Sequence, residues 1–179
     1  MNIILIGYRA TGKTTLARLL AQKLGWQWID ADVAVEQRAG KSIARIFAED
    51  GEPAFRDLEA EVMAELCQRS RLVLAAGGGA PLRPETRKRM RESGHVIWLT
   101  ASPETIHARM TGDATTASRR PSLTDKSALE EIVLLLNKRA PIYQETAHLT
   151  VDTEGKSPES IASEILSALP QLPDAEGST

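Results

Sequence analysis

The sequence predicts an α/β fold, a three-layer open sheet of five parallel strands with helices on both faces. Three observations predict it. Five short apolar runs alternate with helical patterns along the chain. Such alternation gives parallel strands joined by right-handed crossovers. The runs are near-continuously apolar rather than alternating, as in strands covered on both faces. The first run also leads directly into a glycine-bounded turn and then a helix, at Gly7-Tyr8-Arg9-Ala10-Thr11-Gly12-Lys13-Thr14-Thr15.

Taken in order, the strands are residues 2–6 (NIILI), 27–30 (QWID), 72–76 (LVLAA), 95–100 (HVIWLT) and 148–152 (HLTVD). A helix is expected over 13–24. Residues 32–70 hold two or three more, with a break at Asp50-Gly51-Glu52-Pro53. Pro84 to Ser93 forms the next, and Gly94 is expected as its C-cap. Ser102-Pro103-Glu104 supplies an N-cap followed by proline at the first helical position. Leu129, Ile132, Val133 and Leu136 recur at helical spacing within 126–139, and Ser157 caps a last helix over 158–169. The final residues, PQLPDAEGST, read as a disordered tail.

At 179 residues the chain suits one domain, by the rule of about 100–200 residues each. Lys and Arg number 22 against 24 Asp and Glu, a net charge of −2. That balance does not suggest a polyanion-binding surface. The basic cluster at 83–91 (RPETRKRMR) reads as a solvated helix face, with a nucleic-acid patch as the minority alternative. Cys67 is alone, in an apolar helical stretch, and fits packing in a reducing cytosol. The N-terminus enters a strand at once, so no signal peptide is expected. No apolar run approaches the ~20 residues of a spanning helix. A cytoplasmic protein without membrane or nucleic-acid partners follows, and a monomer is expected.

The chemistry begins at the GxxxxGK[ST] match. Gly7 and Gly12 permit torsions that a Cβ forbids, so consecutive N–H groups can wrap a phosphate. The helix starting there points its positive end at the same place. Lys13 would reach the β- and γ-phosphates, and the Thr14 hydroxyl would hold Mg²⁺. A plain glycine turn before an amphipathic helix is the bland alternative. The second strand ends in Asp30-Ala31-Asp32. Spacing of two in an extended segment puts both carboxylates on one side, beside the phosphate loop if strands 1 and 2 flank one crevice. One of them could hold Mg²⁺ through water and the other accept a proton from a hydroxyl. Capping of the helix that starts near Val33 is the alternative. Gly77-Gly78-Gly79 follows the third strand directly, which suggests close approach of backbone to ligand. Residues 111–125 (TGDATTASRRPSLTD), polar and carrying Arg119 and Arg120, read as a lid or as an ordinary surface loop. Phe55-Arg56 lies near a helix start, and Lys138-Arg139-Ala140-Pro141-Ile142-Tyr143 ends a long helix.

Together the GYRATGKTT loop, the D-A-D pair, AGKSIARIFAEDGEPAFRDLE, AAGGGA, RRPSL and KRAPIY resemble the shikimate kinase family, in order and from about residue 2 to 169. The loop is shared by many NTPases; D-x-D, F-R-x-x-E, G-G-G and R-A-x-x-Y in combination are far more specific. The resemblance implies a nucleoside-monophosphate-kinase-like P-loop kinase over 1–170, with substrate-binding helices at about 32–60, a lid at about 111–125 and a tail at 171–179. It implies that ATP phosphorylates the 3-hydroxyl of shikimate, a carboxylated cyclohexene triol. On this basis Arg9, Ala10, Thr11, Gly12, Lys13, Thr14 and Thr15 cradle the phosphates, and Thr14 and Asp30 hold Mg²⁺. Asp32 bonds the reacting hydroxyl, and Arg56 and Arg139 clamp the carboxylate, as guanidinium forks suit carboxylates. Gly77, Gly78 and Gly79 approach the substrate, and Arg120, directly before Pro121, closes over the phosphates. Arg109 and Lys156 go to the adenine side; Lys156 stands where some members carry arginine. The lid reads R-P-S-L in place of the commoner R-P-L-L. A kinase of gluconate or of a nucleoside monophosphate, and a non-catalytic nucleotide-binding regulator, are the competing readings.

Overall fold

Five parallel strands form one sheet in the order β2-β3-β1-β4-β5, in a computed structural model that describes residues 1–112 and 127–169. The strands are β1 (Asn2–Ile6), β2 (Gln27–Asp30), β3 (Leu72–Ala75), β4 (Gly94–Thr100) and β5 (Leu149–Asp152). In the central register Ile4 pairs with Leu74 on one side and Val96 on the other. Every residue of β1 and β3 is buried, as their continuous apolar runs require. The edge strands differ. Trp28 on β2 is 40% exposed, and on β5 only Val151 is buried, because an edge strand meets cover on fewer sides.

Alternation along each strand divides the core into two layers. Ile4, Ile6, Leu74 and Val96 pack on one face against Val35, Ile46, Phe55, Met63 and Tyr143. Those residues come from α2 (Ala31–Ala39), α3 (Ile43–Glu49), α4 (Gly51–Leu66) and α7 (Ala128–Thr146), with Met90 from α5 (Pro84–Ser93) beside them. Ile3, Leu5, Val73, Ile97 and Leu99 pack on the other face against Leu16, Leu20, Ile161 and Ile165, from α1 (Lys13–Leu24) and α8 (Pro158–Ala168). A third cluster joins Tyr8, Ile106 and Ile132, linking the first turn to α6 (Pro103–Gly112) and α7.

The expected caps at Ser102 and Ser157 form, with Thr105 N and Ser160 N donating to the two hydroxyls at 3.2 Å. Three local expectations need correction. Gly94 is not a left-handed C-cap. Its backbone is extended, and it opens β4. A Cβ there would lie 2.0 Å from the Asn2 carbonyl oxygen, so glycine is required by strand approach rather than by torsion. The helix expected to end near Tyr143 continues to Thr146, past Pro141. Its last carbonyls, those of Glu145 and Thr146, accept from the Arg91 guanidinium at 3.0 and 2.9 Å, which satisfies groups a helix end leaves orphaned. That contact, with the Arg83–Asp57 and Lys88–Glu92 pairs, engages part of the basic cluster at 83–91. Finally, the break at Asp50 is a single residue between α3 and α4. Pro53 sits in the first turn of α4, where a missing N–H costs little.

Candidate active site

The phosphate loop leaves the carboxyl end of β1 with Gly7 at φ 138° and Gly12 at φ 92°. A Cβ on Gly7 would also lie 2.5 Å from the Leu99 carbonyl oxygen, so both torsion and space demand glycine. Ala10 adopts φ 60°, a left-handed torsion that costs an alanine about 1 kcal/mol. The loop is braced by the buried Thr11 hydroxyl, which donates to Tyr8 O at 2.8 Å. Gly12 offers α1 no side-chain cap, so the first-turn N–H groups remain suited to an anion. The Lys13 ammonium folds over the loop, 3.0 Å from Gly7 O and 2.7 Å from Tyr8 O. Thr15 lines the cavity beside it.

Strands 1 and 2 do not share one crevice directly, since β3 lies between them. The aspartates reach the loop through α1. The Thr14 hydroxyl, in its first turn, donates to Asp30 Oδ2 at 2.6 Å. The other oxygen, Oδ1, accepts the Asp32 N–H at 3.0 Å and caps α2. Asp30 therefore caps α2, one of the two roles weighed for it, and stands beside the Thr14 hydroxyl. Asp32 is not in an extended segment; it lies in the first turn of α2. A hydroxyl and a carboxylate side by side are hard oxygen donors suited to Mg²⁺. Among the described residues no cluster of three or more His, Cys, Asp or Glu could hold a metal. A cation here would complete its shell with phosphate oxygens and water, as Mg²⁺ commonly does.

Across the crevice, β3 runs into Gly77, Gly78 and Gly79. Arg139 on α7 is buried, 7% exposed, with Nη1 3.5 Å from Gly78 O and its guanidinium over the Tyr8 ring. One turn on, the Tyr143 hydroxyl donates to the same Gly78 O at 2.5 Å, as i and i+4 share a helix face. Arg56 on α4 lies against Gly79, where a Cβ would come within 2.1 Å of its Nη1. Its guanidinium pairs with the buried Glu59 at 2.6 Å and with Glu52 at 3.3 Å. The two arginines thus converge on adjacent glycines. No carboxylate pairs with Arg139 among the described residues, and a buried cation without a counter-ion is costly.

On the opposite side of the loop, a cavity of 270 Å³ is lined by Ala10, Thr11, Gly12, Arg109 and Lys156 among others. Arg109 donates to Ala10 O at 3.4 Å and to the Thr153 hydroxyl and carbonyl at 3.1 and 3.2 Å. Lys156 pairs with Glu164 at 2.7 Å. The Arg9 side chain joins Glu131 at 3.1 Å. A larger open groove, 560 Å³, runs along the edge strand beside Trp28, Val33 and Arg38; it meets the site only at Asp30. Arg119 and Arg120, with most of the expected lid, and the tail at 171–179 lie outside the described residues.

The sequence reading assigned no role to Tyr8, Glu59, Glu131 or Tyr143. Glu59 and Tyr143 stood inside the F-R-x-x-E and R-A-x-x-Y patterns, at spacings that put each beside its arginine. Nothing local signals the Tyr8 and Glu131 contacts, which span the fold.

Comparison with known proteins gives the family. The shikimate kinase family model matches residues 9–170. The chain is 46% identical over 169 residues to a shikimate kinase of Rhodopirellula baltica, covering 94% of this chain and 90% of the relative. It is 42% identical over 169 residues to one of Symbiobacterium thermophilum, covering 94% and 96%. Among solved structures, the shikimate kinase of Acinetobacter baumannii in complex with shikimate superposes with a TM-score of 0.87 at 36% identity, over 93% of this chain and 90% of that one. A gluconokinase of Sinorhizobium meliloti, at a TM-score of 0.56, 16% identity, and coverage of 93% and 89%, shares the fold alone. The chain belongs to the shikimate kinase family.

Proposed function

We propose that this chain transfers the γ-phosphoryl group of ATP to the 3-hydroxyl of shikimate, giving shikimate 3-phosphate and ADP. The observation that carries the reading is the buried Arg139, without a carboxylate partner among the described residues, converging with Arg56 on Gly78 and Gly79. A substrate carboxylate would supply the missing counter-charge, and two guanidinium forks would fix its orientation.

Phosphoryl transfer asks the protein for alignment and for positive charge around the moving group. The loop N–H groups from Arg9 to Thr15 hold the triphosphate, and Lys13 turns from its own loop carbonyls to the β- and γ-oxygens. Arg109 and Lys156 border the cavity beside the loop, which would take the adenine. Thr14 and Asp30 would hold Mg²⁺, which would supply positive charge to the phosphates when bound. Asp32, at the start of α2, orients the acceptor hydroxyl and takes its proton. Gly77 to Gly79 line the acid's seat without side-chain bulk. Arg120, carried by the lid, completes the charge around the transferred group. A cytoplasmic monomer is the state we assign to it.

An assay of ADP release with shikimate, gluconate and a panel of nucleoside monophosphates tests the reading. Turnover with shikimate is expected to exceed that with every other acceptor. Release driven by gluconate or a nucleotide, but not by shikimate, would overturn it.

A further inference from the structure

We propose that Tyr8 is a positioning residue for the acid clamp: its ring is the platform on which Arg139 is held. The inference rests on the proposed role of Arg139 in binding the substrate carboxylate, and it deepens that role. The Arg139 guanidinium lies over the Tyr8 ring, 5.9 Å from its centroid. Its hydrogen bond to Gly78 O is long, 3.5 Å, too long to fix orientation by itself. A buried guanidinium gains from an aromatic face, because the face is negative and little water competes.

The platform is itself fixed. Tyr8 is 1% exposed and packs with Ile106 and Ile132 from two different helices. Arg9 also lies over the ring, 5.6 Å from the centroid, and is tied to the buried Glu131 on α7 at 3.1 Å. Helix α7 carries Arg139 as well. Loop and helix are therefore joined by one ion pair and one ring, with the acid-binding guanidinium resting on the ring. The Tyr8 hydroxyl is buried and has no hydrogen-bond partner among the described residues. A hydroxyl with no bond to lose marks the ring, rather than the oxygen, as the working part.

The test is steady-state kinetics on Tyr8→Leu and Tyr8→Phe, with the same Tyr8→Leu change in an Arg139→Ala background. Tyr8→Leu is expected to raise the shikimate KM roughly tenfold and the ATP KM by less than about twofold. Tyr8→Phe, which keeps the ring, restores the shikimate KM to near the parent value. In the Arg139→Ala background, removing the ring adds no further loss. An unchanged shikimate KM in Tyr8→Leu, parallel rises for both substrates, or equal damage from Tyr8→Phe would each overturn the inference. Should Tyr8→Leu not fold, Tyr8→Met removes the ring with less loss of volume, with a selective rise in shikimate KM expected and none contradicting the inference. A parent that phosphorylates no shikimate refutes the function instead, so the two failures are distinct.

Discussion

A methyl group at position 79 would land on Arg56. In Gly79→Ala the new carbon would lie 2.1 Å from Nη1, 2.5 Å from Cζ and 2.6 Å from Nη2. The backbone is no obstacle, since Gly79 sits at φ −102°, ψ −7°, open to any residue. The clash is with the far end of a flexible side chain, so Arg56 moves and the fold remains. Its 2.6 Å bond to the buried Glu59 is then weakened. A hydrogen bond to a charged group contributes about 1.5–3 kcal/mol. Arg56 can keep Glu52, and Glu59 has a further interaction, so a stability loss near 1 kcal/mol is expected, or about 2–4 °C in Tm. The acid loses one of its two guanidinium contacts, also about 1.5–3 kcal/mol, which converts to roughly 10- to 150-fold in Kd. Gly78→Ala offers a comparison for stability. Its Cβ would press on Gly7 O at 3.3 Å and stand 3.7 Å from Arg139 Nη1, so the Arg56–Glu59 pair is left in place and the loss from that pair should be absent. Calorimetric titration with shikimate and with ATP, beside thermal unfolding, reads all of these quantities. Parent-like shikimate affinity in Gly79→Ala would refute the placement of Arg56 in the clamp.

Three further outcomes follow from the same geometry. Asp32→Asn should lower turnover at least ~100-fold, the usual scale of a lost general base, while ATP titrates within about twofold of the parent; near-parent turnover would falsify its role. Gly94→Ala should cost about 3 kcal/mol or more by wedging β4 from β1 at Asn2 O, seen as a lowered urea midpoint. His148 provides a pH signature. Burial first, then Arg91 and His95, hold its pKa below the ordinary 6.5, and its Nδ1 accepts the Val96 N–H at 3.0 Å, a bond that protonation removes. Its contribution to stability is therefore present above about pH 6.5 and is lost as pH falls from there toward the lower folded value. The drop in Tm between pH 7.5 and 5.5 should shrink in His148→Gln, and an undiminished drop would contradict the assignment.

What could be seen in the chain alone was whatever is local. The runs NIILI and LVLAA are buried throughout as β1 and β3, and Gly7 and Gly12 turn where their spacing said they must. Arg139 and Tyr143 fell on one helix face by simple periodicity. The site's long-range parts were not legible, because no local pattern specifies them. The order β2-β3-β1 separates two strands thought to flank one crevice, and α1 restores the contact by presenting Thr14 to Asp30. Gly94 looked like a cap because glycine after a helix usually is one; its real constraint is a carbonyl on a strand 92 residues earlier. Tyr8 looked like an unremarked loop residue, and only packing from α6 and α7 makes it a platform.

The most direct measurement is shikimate binding to Arg139→Ala, compared with ATP binding to the same protein. Truncating one partner of a buried charged contact costs about 2–5 kcal/mol, so shikimate affinity should fall by at least ~30-fold with ATP nearly unaffected. Equal losses for the two ligands, or retained shikimate affinity, would mean that the buried arginine does not receive the acid.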